Sequence, residues 1–503
     1  MSILTGDGDT LNIQHLAGWL VTTLIAWYIS SALRAWYRLR HIPGPRLASF
    51  SHLWIAVHTF RGNNHKAYMG LRKYGPLVRN GPNYLVTDDP DVLRTISGAR
   101  SKYVRDPWYH VKFDPDRDTM ASTLDTVVHD AIKAKVASGY SGRENPDLEA
   151  AVDSQVSRLV GLIRRKHLST NDRLRRVDFC SFARFFTLDV ITRLGYGKAF
   201  GYLDEGIDIY GWIAQIDGAL ALMSLAMDVP AIRRVVFSSF MLKLFGPKTW
   251  DQKGVGKMMG VTRRLIAERF QNDAKPREDM FGGFIRRGLS REELEGESML
   301  QLLAGSDASA AAIRGTMLHI LATPRVYGRL KAEIKSTAEQ TGGSSIITYS
   351  QALNQPYLQA VIWEGYRIKC PVNYGHYKIV PPEGDTILGH FVPGGTAIGH
   401  NTAALTRKES IFGADADVFR PERFLECSEE KRLEMDRALD ITFGGGRWMC
   451  AGKSIAMMEL SKVLFELLRA FEFQLIDPAA PWKEKVYLIA SQKDMWVRIT
   501  EAN

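Results

Sequence analysis

Cysteine is scarce in this chain: Cys180, Cys370, Cys427 and Cys450 are the only four in 503 residues. They are too few and too scattered for a disulfide scaffold or a CxxC zinc site, and they suit a reducing compartment. Internal repeats, low-complexity tracts and Ser/Gly linkers are missing, which excludes a collagen-like repeat. The hydrophobic fraction is 45% and the charged fraction 24%, which excludes a disordered chain. The same ordinary composition excludes a polytopic membrane protein as well. Neither sign of charge dominates. The net charge of +10 fits an anionic membrane, an acidic protein or nucleic acid and does not choose among them. Basic residues are also missing from the first fifteen positions, which hold Asp7 and Asp9. A secretory signal peptide opens on a basic stretch, so this beginning does not read as one.

What the N-terminus does have is Leu16 to Leu33, without a charge. As a helix it spans roughly 27 Å, close to the hydrocarbon thickness of a bilayer. Trp19, Trp27 and Tyr28 supply the amphipathic rings common near interfaces, and Arg34, Arg38, Arg40 and Arg46 follow. The excess of cations after the run puts the C-terminal part in the cytosol. We therefore expect an anchor over residues 1–33, a stiff proline-rich hinge over 34–45 ending in Pro43-Gly-Pro45, and a soluble domain over 46–503.

The soluble part reads as mainly α with small β-sheets. Two short runs, Leu77–Asn80 and Tyr84–Thr87, lie between turn residues and predict a hairpin. Helical spacing runs over Leu148–Lys166, Phe182–Leu194, Ser298–Leu321, Pro356–Ile368 and Gly452–Phe471. Strand-like pieces at Lys378–Val380 and Thr386–Leu388 follow the fourth of these.

The chemistry concentrates near Phe443-Gly-Gly-Gly-Arg-Trp-Met-Cys-Ala-Gly452. One cysteine follows a glycine-rich loop and precedes a helix. Glycines let backbone pass close to a flat ligand. A thiol at a helix N-terminus meets the positive end of the macrodipole, which favours the metal-binding thiolate.

This segment resembles the haem-binding loop FxxGxRxCxG of the cytochrome P450 family, with Phe443, Gly446, Cys450 and Gly452 matching. The resemblance covers nearly the whole chain. Glu364-Gly-Tyr-Arg367 resembles the family's ExxR pair, Phe419–Phe424 its FxPERF segment, Ala304–Asp307 the start of its oxygen-side motif, and Pro43-Gly-Pro45 its N-terminal linker. Asp189-Val190 before Gly195, and Trp108-Tyr109, are similar to the fungal pisatin-demethylase-like branch.

The resemblance implies a cytochrome P450 fold, haem b (iron protoporphyrin IX) as cofactor and Cys450 as the axial iron ligand. It implies that Phe443 limits water near the sulfur, and that Glu364, Arg367 and Arg423 form a buried structural ion-pair network. Where the family places an arginine two residues before the cysteine, this chain has Trp448. Candidate propionate partners are Lys378, Lys133, His129 and Arg447; His129 and Lys133 stand at the family's Trp-x3-Arg positions. On the oxygen side Asp307 is the candidate proton relay. The usual neighbouring alcohol is Ala308, with Ser309 one residue on and rotated by about 100° on a helix.

Together these imply a monooxygenase that takes electrons from NADPH–cytochrome P450 reductase, activates O2 and oxidises an apolar small molecule. Its place would be the endoplasmic reticulum membrane, in secondary metabolism, with no nucleic acid partner. Arg407, Lys408, Arg432, Arg437 and Lys453 are candidates for docking the reductase. Substrate is expected among the 105–120 loop, the 205–245 helices, the oxygen-side helix, residues 371–376 and Ser491-Gln492. Two alternatives stay open: a haem-thiolate isomerase or dehydratase, motivated by Ala308, and a non-enzymatic haem sensor.

Overall fold

In the computed structural model the first helix, α1, spans Asp7–Arg38. The structure describes residues 7–143, 145–340, 342 and 345–502, so the first six residues of the expected anchor lie outside them. Residues His15–Arg38 form a candidate membrane span, and none of its most apolar stretch is buried against the body. The helix does not stop at the expected boundary of 33 but continues to Arg38, because nothing before the prolines breaks it. The expected hinge is also fastened. Leu39 and Ile42 are buried, and Arg79 donates to the carbonyls of Ala35 (2.9 Å), Trp36 (3.3 Å), Gly81 (3.2 Å) and Pro82 (2.6 Å). Arg38 Nη2 donates to Gly394 O at 2.8 Å.

Arg79 lies on β1 (Leu77–Gly81), which pairs with β2 (Tyr84–Thr87) as the expected hairpin. After α2 (Pro90–Ser97) come β3 (Val104–Arg105), α3 (Thr126–Tyr140), α4 (Phe179–Tyr196), α5 (Trp212–Asp228), α6 (Ser239–Phe245) and α7 (Gly254–Ala267). Helix α8 (Arg291–Leu321) crosses the centre, followed by α9 (Pro356–Ile368). Strands β4 (Gly375–Ile379), β5 (Asp385–Ile387), β6 (His390–Val392) and β7 (Ala397–His400) precede α10 (Lys453–Ala470). A late hairpin joins β8 (Lys483–Val486) to β9 (Ala490–Lys493). The main sheet has the order β1-β2-β7-β4-β3.

Two helices start earlier than their apolar spacing predicts, and both starts are capped. The Asp178 carboxylate accepts from Cys180 N at 3.1 Å, so α4 begins at Phe179. Ser290 and Glu293 form a reciprocal capping box, so α8 begins at Arg291, seven residues before Ser298. Both helices are buried on most of their circumference, which is why their one-sided periodicity is weak. Yet Ala304, midway along α8, is exposed and Ala308, one turn on, is only half-buried. An open space therefore reaches the middle of the core.

Candidate active site

Cys450 stands at the end of the glycine loop, just before α10, and is open to solvent. Its amide donates to Phe443 O at 2.7 Å, closing the loop on itself. The amides of Gly452 and Lys453 and the charges of Lys133 and Lys453 pull the thiol pKa down, but desolvation outweighs them and leaves it raised. Phe443 stacks on Tyr366 with ring centroids 4.8 Å apart and 7° between planes. Two of the loop glycines also meet a neighbouring helix end. A Cβ on Gly446, whose φ is +55°, would lie 2.6 Å from Ser97 O, and one on Gly445 would lie 2.9 Å from Ser97 Cβ. They let the loop press against the end of α2. A Cβ on Gly452 meets nothing closer than 4.0 Å.

Beside the loop, strands β3 and β4 place Arg105 directly opposite Lys378. Like charges across a ladder repel, and both residues are buried. Trp448 lies between them, its ring centroid 3.7 Å from Lys378 Nζ and 4.3 Å from Arg105 Cζ. Arg105 Nη1 donates to the carbonyls of Met120, Ala121 and Thr123, but its Nε and Lys378 Nζ have no hydrogen-bond partner among the described residues. Burial, with Arg105 and Arg447 nearby, pushes the Lys378 ammonium down to about 6. Two buried basic groups facing each other, each with a free N–H and neither hydrogen-bonded to a carboxylate, suit an anion between them. The carboxylates of a haem supply one, so these residues fit the group.

The other candidates divide. Lys133 Nζ donates to Arg447 O at 2.6 Å and Met449 O at 2.8 Å, bracing the cysteine loop. Arg447 turns away: its Nη1 bonds Asp130 at 2.7 Å and its Nη2 bonds Ala99 O, so it does not join the cation pair. His129 is not a cation, because burial pushes it down to about 4; its ring packs 4.4 Å from Trp448. Arg105 and the aromatic seat made by Trp448 escaped the sequence reading. Nothing in the local sequence marks Arg105; the strand pairing brings it in.

On the opposite side Asp307 is buried and lines a cavity of about 210 Å³. Its Oδ1 lies 3.3 Å from Arg184 Nε, on α4, and Arg184 in turn grips Asp217 at 2.6 and 2.7 Å. Lys493 and Ser491 also reach Asp217, at 2.9 and 3.1 Å. Burial raises the Asp307 pKa against the pull of Arg184 and Arg314. Arg184 was invisible to spacing, since it comes from another helix. Ser309 does not line the cavity. Its hydroxyl faces Glu459 of α10, whose carboxyl burial pushes up to about 8.

The cavity is bounded by Tyr109, Val111 and Phe113 from the loop, Leu220, Met223 and Met227 from α5, Met259 from α7, and Met299 and Leu303 from α8. The loop and the helices are as expected, and α7 is an addition. Residues 371–376 are absent from the lining, and the last wall is Leu488-Ile489 rather than Ser491-Gln492. The hairpin turn points inward, while Ser491 and Gln492 bond Asp217 and Arg314. At the rim, Arg117 and Arg263 pair with Asp114 and Glu295.

Glu364, Arg367 and Arg423 assemble as expected. Arg367 bonds both Glu364 oxygens at 2.8 Å, Arg423 Nε reaches Oε1 at 2.9 Å, and all three residues are buried. Their remaining donors hold the carbonyls of Thr406, Ala416 and Val418. Of the proposed docking cations, Arg407 is buried and bonds Arg367 O and Ile368 O, so it presents no charge to a partner. Lys408, Arg432 and Lys453 are paired with Asp88, Asp436 and Asp440, and Arg437 is exposed.

The family model for cytochrome P450 matches residues 42–493. The chain is 44% identical over 504 residues to the cytochrome P450 monooxygenase ABA1 of Pyricularia oryzae, covering 98% of each. It is 44% identical over 469 residues to aba1 of Botryotinia fuckeliana, covering 92% of each, and 40% identical to abl1 of Leptosphaeria maculans over 93% of this chain and 84% of that one. The crystal structure of the cytochrome P450DA heme domain superposes with a TM-score of 0.72 at 17% identity, over 92% of this chain and 98% of that one.

Proposed function

The chain belongs to the cytochrome P450 family and is a haem b monooxygenase, and on that premise we propose that it oxidises an apolar small molecule while anchored in a membrane by α1. The observation that carries the reading is the pair of facing, buried basic residues Arg105 and Lys378, whose Nε and Nζ have no hydrogen-bond partner among the described residues, beside the Cys450 thiol. Cys450 would hold the haem iron through sulfur, and Arg105, Lys378 and Lys133 would hold the propionates. Haem held there would supply the activation of O2 on which a monooxygenase depends.

The protein's own residues do the rest. The Met- and Leu-rich cavity excludes water and favours an apolar substrate. Asp307, at the cavity wall, holds or passes a proton; Arg184 keeps its carboxyl pointed away from bulk solvent. Electrons come from an NADPH-dependent reductase that approaches the cysteine side, in the endoplasmic reticulum of a fungal cell engaged in secondary metabolism. The candidate span His15–Arg38 supports the membrane placement.

The test is to purify the full chain with haem, add reductase and NADPH, and follow candidate apolar substrates by mass. A product heavier by one oxygen, formed with NADPH and O2 consumed in step, supports the reading. Product of unchanged oxygen count, formed without NADPH, replaces it with an isomerase. Cys450→Ser should abolish the red-shifted Soret band of the reduced carbon monoxide complex; survival of that band refutes the ligand assignment.

A further inference from the structure

Asp228 ends α5, buried, and the reaction scheme above makes no use of it. Its Oδ1 accepts the indole N–H of Trp108 at 2.9 Å, and its Oδ2 accepts the hydroxyl of Tyr374 at 2.6 Å. One donor belongs to the loop that lines the cavity and the other to the segment following α9. One turn earlier, Ser224 Oγ accepts Leu488 N–H at 3.3 Å, and both of these residues line the cavity. The last turn of α5 is therefore tied to three separate chain segments.

Both donors sit in seats built for them. Trp108 lies against Gly375, where φ is +109° and a Cβ would come within 2.5 Å of the indole ring. Tyr374 stacks on Tyr68 with centroids 4.1 Å apart, and Asn64 Nδ2 donates to its hydroxyl at 3.0 Å. Behind Asp228, Arg233 Nη1 donates to Met227 O at 2.8 Å and closes the helix end. The outer side of α5 is held more lightly, with Leu222 exposed.

We propose that Asp228 is a positioning residue that bolts the α5 roof to the Trp108 loop and to Tyr374, and that this fastening sets the size of molecule the cavity admits. The inference rests on the cavity being the substrate pocket of a haem enzyme. Removing the carboxylate leaves a buried indole N–H and a buried phenol without an acceptor. Both groups regain hydrogen bonds only when the end of α5 swings out and water enters. A roof so loosened passes bulky ligands faster, while a ligand small enough to enter past a closed roof is indifferent to it.

The haem-loaded full chain is mixed in a stopped flow with imidazole and with ketoconazole, each of which ligates ferric haem iron and shifts its Soret band. Asp228→Ala is expected to raise the ketoconazole association rate roughly tenfold and to leave that of imidazole within about twofold. Tyr374→Phe removes one donor and keeps the ring; it should give a smaller rise of the same selectivity, and it serves if Asp228→Ala does not fold. Equal changes for both ligands, or an unchanged ketoconazole rate in Tyr374→Phe, overturn the proposal. A wild-type chain that takes up no haem, and so has no Soret band to shift, instead overturns the haem reading beneath it.

Discussion

At the scale of single residues, Lys378 carries the clearest electrostatic signature. Its pKa is pushed from 10.5 down to about 6 in the haem-free fold. The unfolded chain thus binds its proton more tightly, and the cost of burying the charge is full below pH 6 and fades as pH rises towards 10. Lys378→Met should therefore stabilise the haem-free protein most at pH 6 and hardly at all near pH 10, as read from urea midpoints at the two pH values. In the haem-loaded protein the sign reverses, because a partner of the propionates is lost; haem should transfer faster to a globin acceptor. A gain of equal size at both pH values would refute the account. Ala308 supports a second residue-scale prediction. It is only half-buried on α8, so Ala308→Thr adds a hydroxyl at a cost of a few tenths of a kcal/mol. With a substrate lacking a nearby hydroxyl, the peroxide released per NADPH consumed should fall. An unchanged ratio argues that Asp307 passes protons without an alcohol at this position.

At the scale of elements, the fastening of α9 to the following loops depends on one carboxylate. Glu364 serves Arg367, Arg423 and the amide of Arg420. Glu364→Gln leaves the buried Arg367 guanidinium without a counter-charge, while Arg423 keeps Asp415 at 2.9 Å, and removing one partner of such a pair costs about 3–5 kcal/mol. The variant should show a lower urea midpoint and poor haem incorporation; a near-normal midpoint would show that the carbonyl contacts alone suffice. Glu364 and Arg367 were legible because they share a helix face and stand among apolar neighbours, whereas Arg423 and the role of Cys450 were legible only through the family resemblance. The bounds of α9, Pro356 and Ile368, are marked by prolines on either side. The starts of α4 and α8 were not legible from apolar spacing, since caps fix them, although Ser290-x-x-Glu293 carried the signal. Arg105 and Arg184 were hidden for a different reason: strand pairing and helix crossing bring them to Lys378 and Asp307 from far along the chain. The Leu488-Ile489 wall was missed by three residues, because a hairpin turn rather than a strand faces the cavity.

At the scale of the whole molecule, the apolar surface is not confined to α1. Phe240 and Phe245 of α6 are 72% and 73% exposed, and Trp250 beyond them 74%. Deleting residues 1–33 should release the protein from membranes washed in high salt and leave haem binding intact. The released chain should keep weak affinity for anionic vesicles, and Phe240→Ser with Phe245→Ser should remove most of it in a sedimentation assay. Binding unaffected by the double change would place the second contact elsewhere.

Arg79 ties this outer scale to the inner one. It grips the end of α1 through carbonyl oxygens, so the joint has no carboxylate that acid could protonate. The strand that bears it is one edge of the main sheet, and the other edge strand, β3, carries Arg105 opposite Lys378 of β4. One hydrogen-bonded sheet thus borders both the joint with α1 and the place where the cofactor's charged edge would rest, so the body's attachment to its first helix and its grip on the cofactor share a single scaffold.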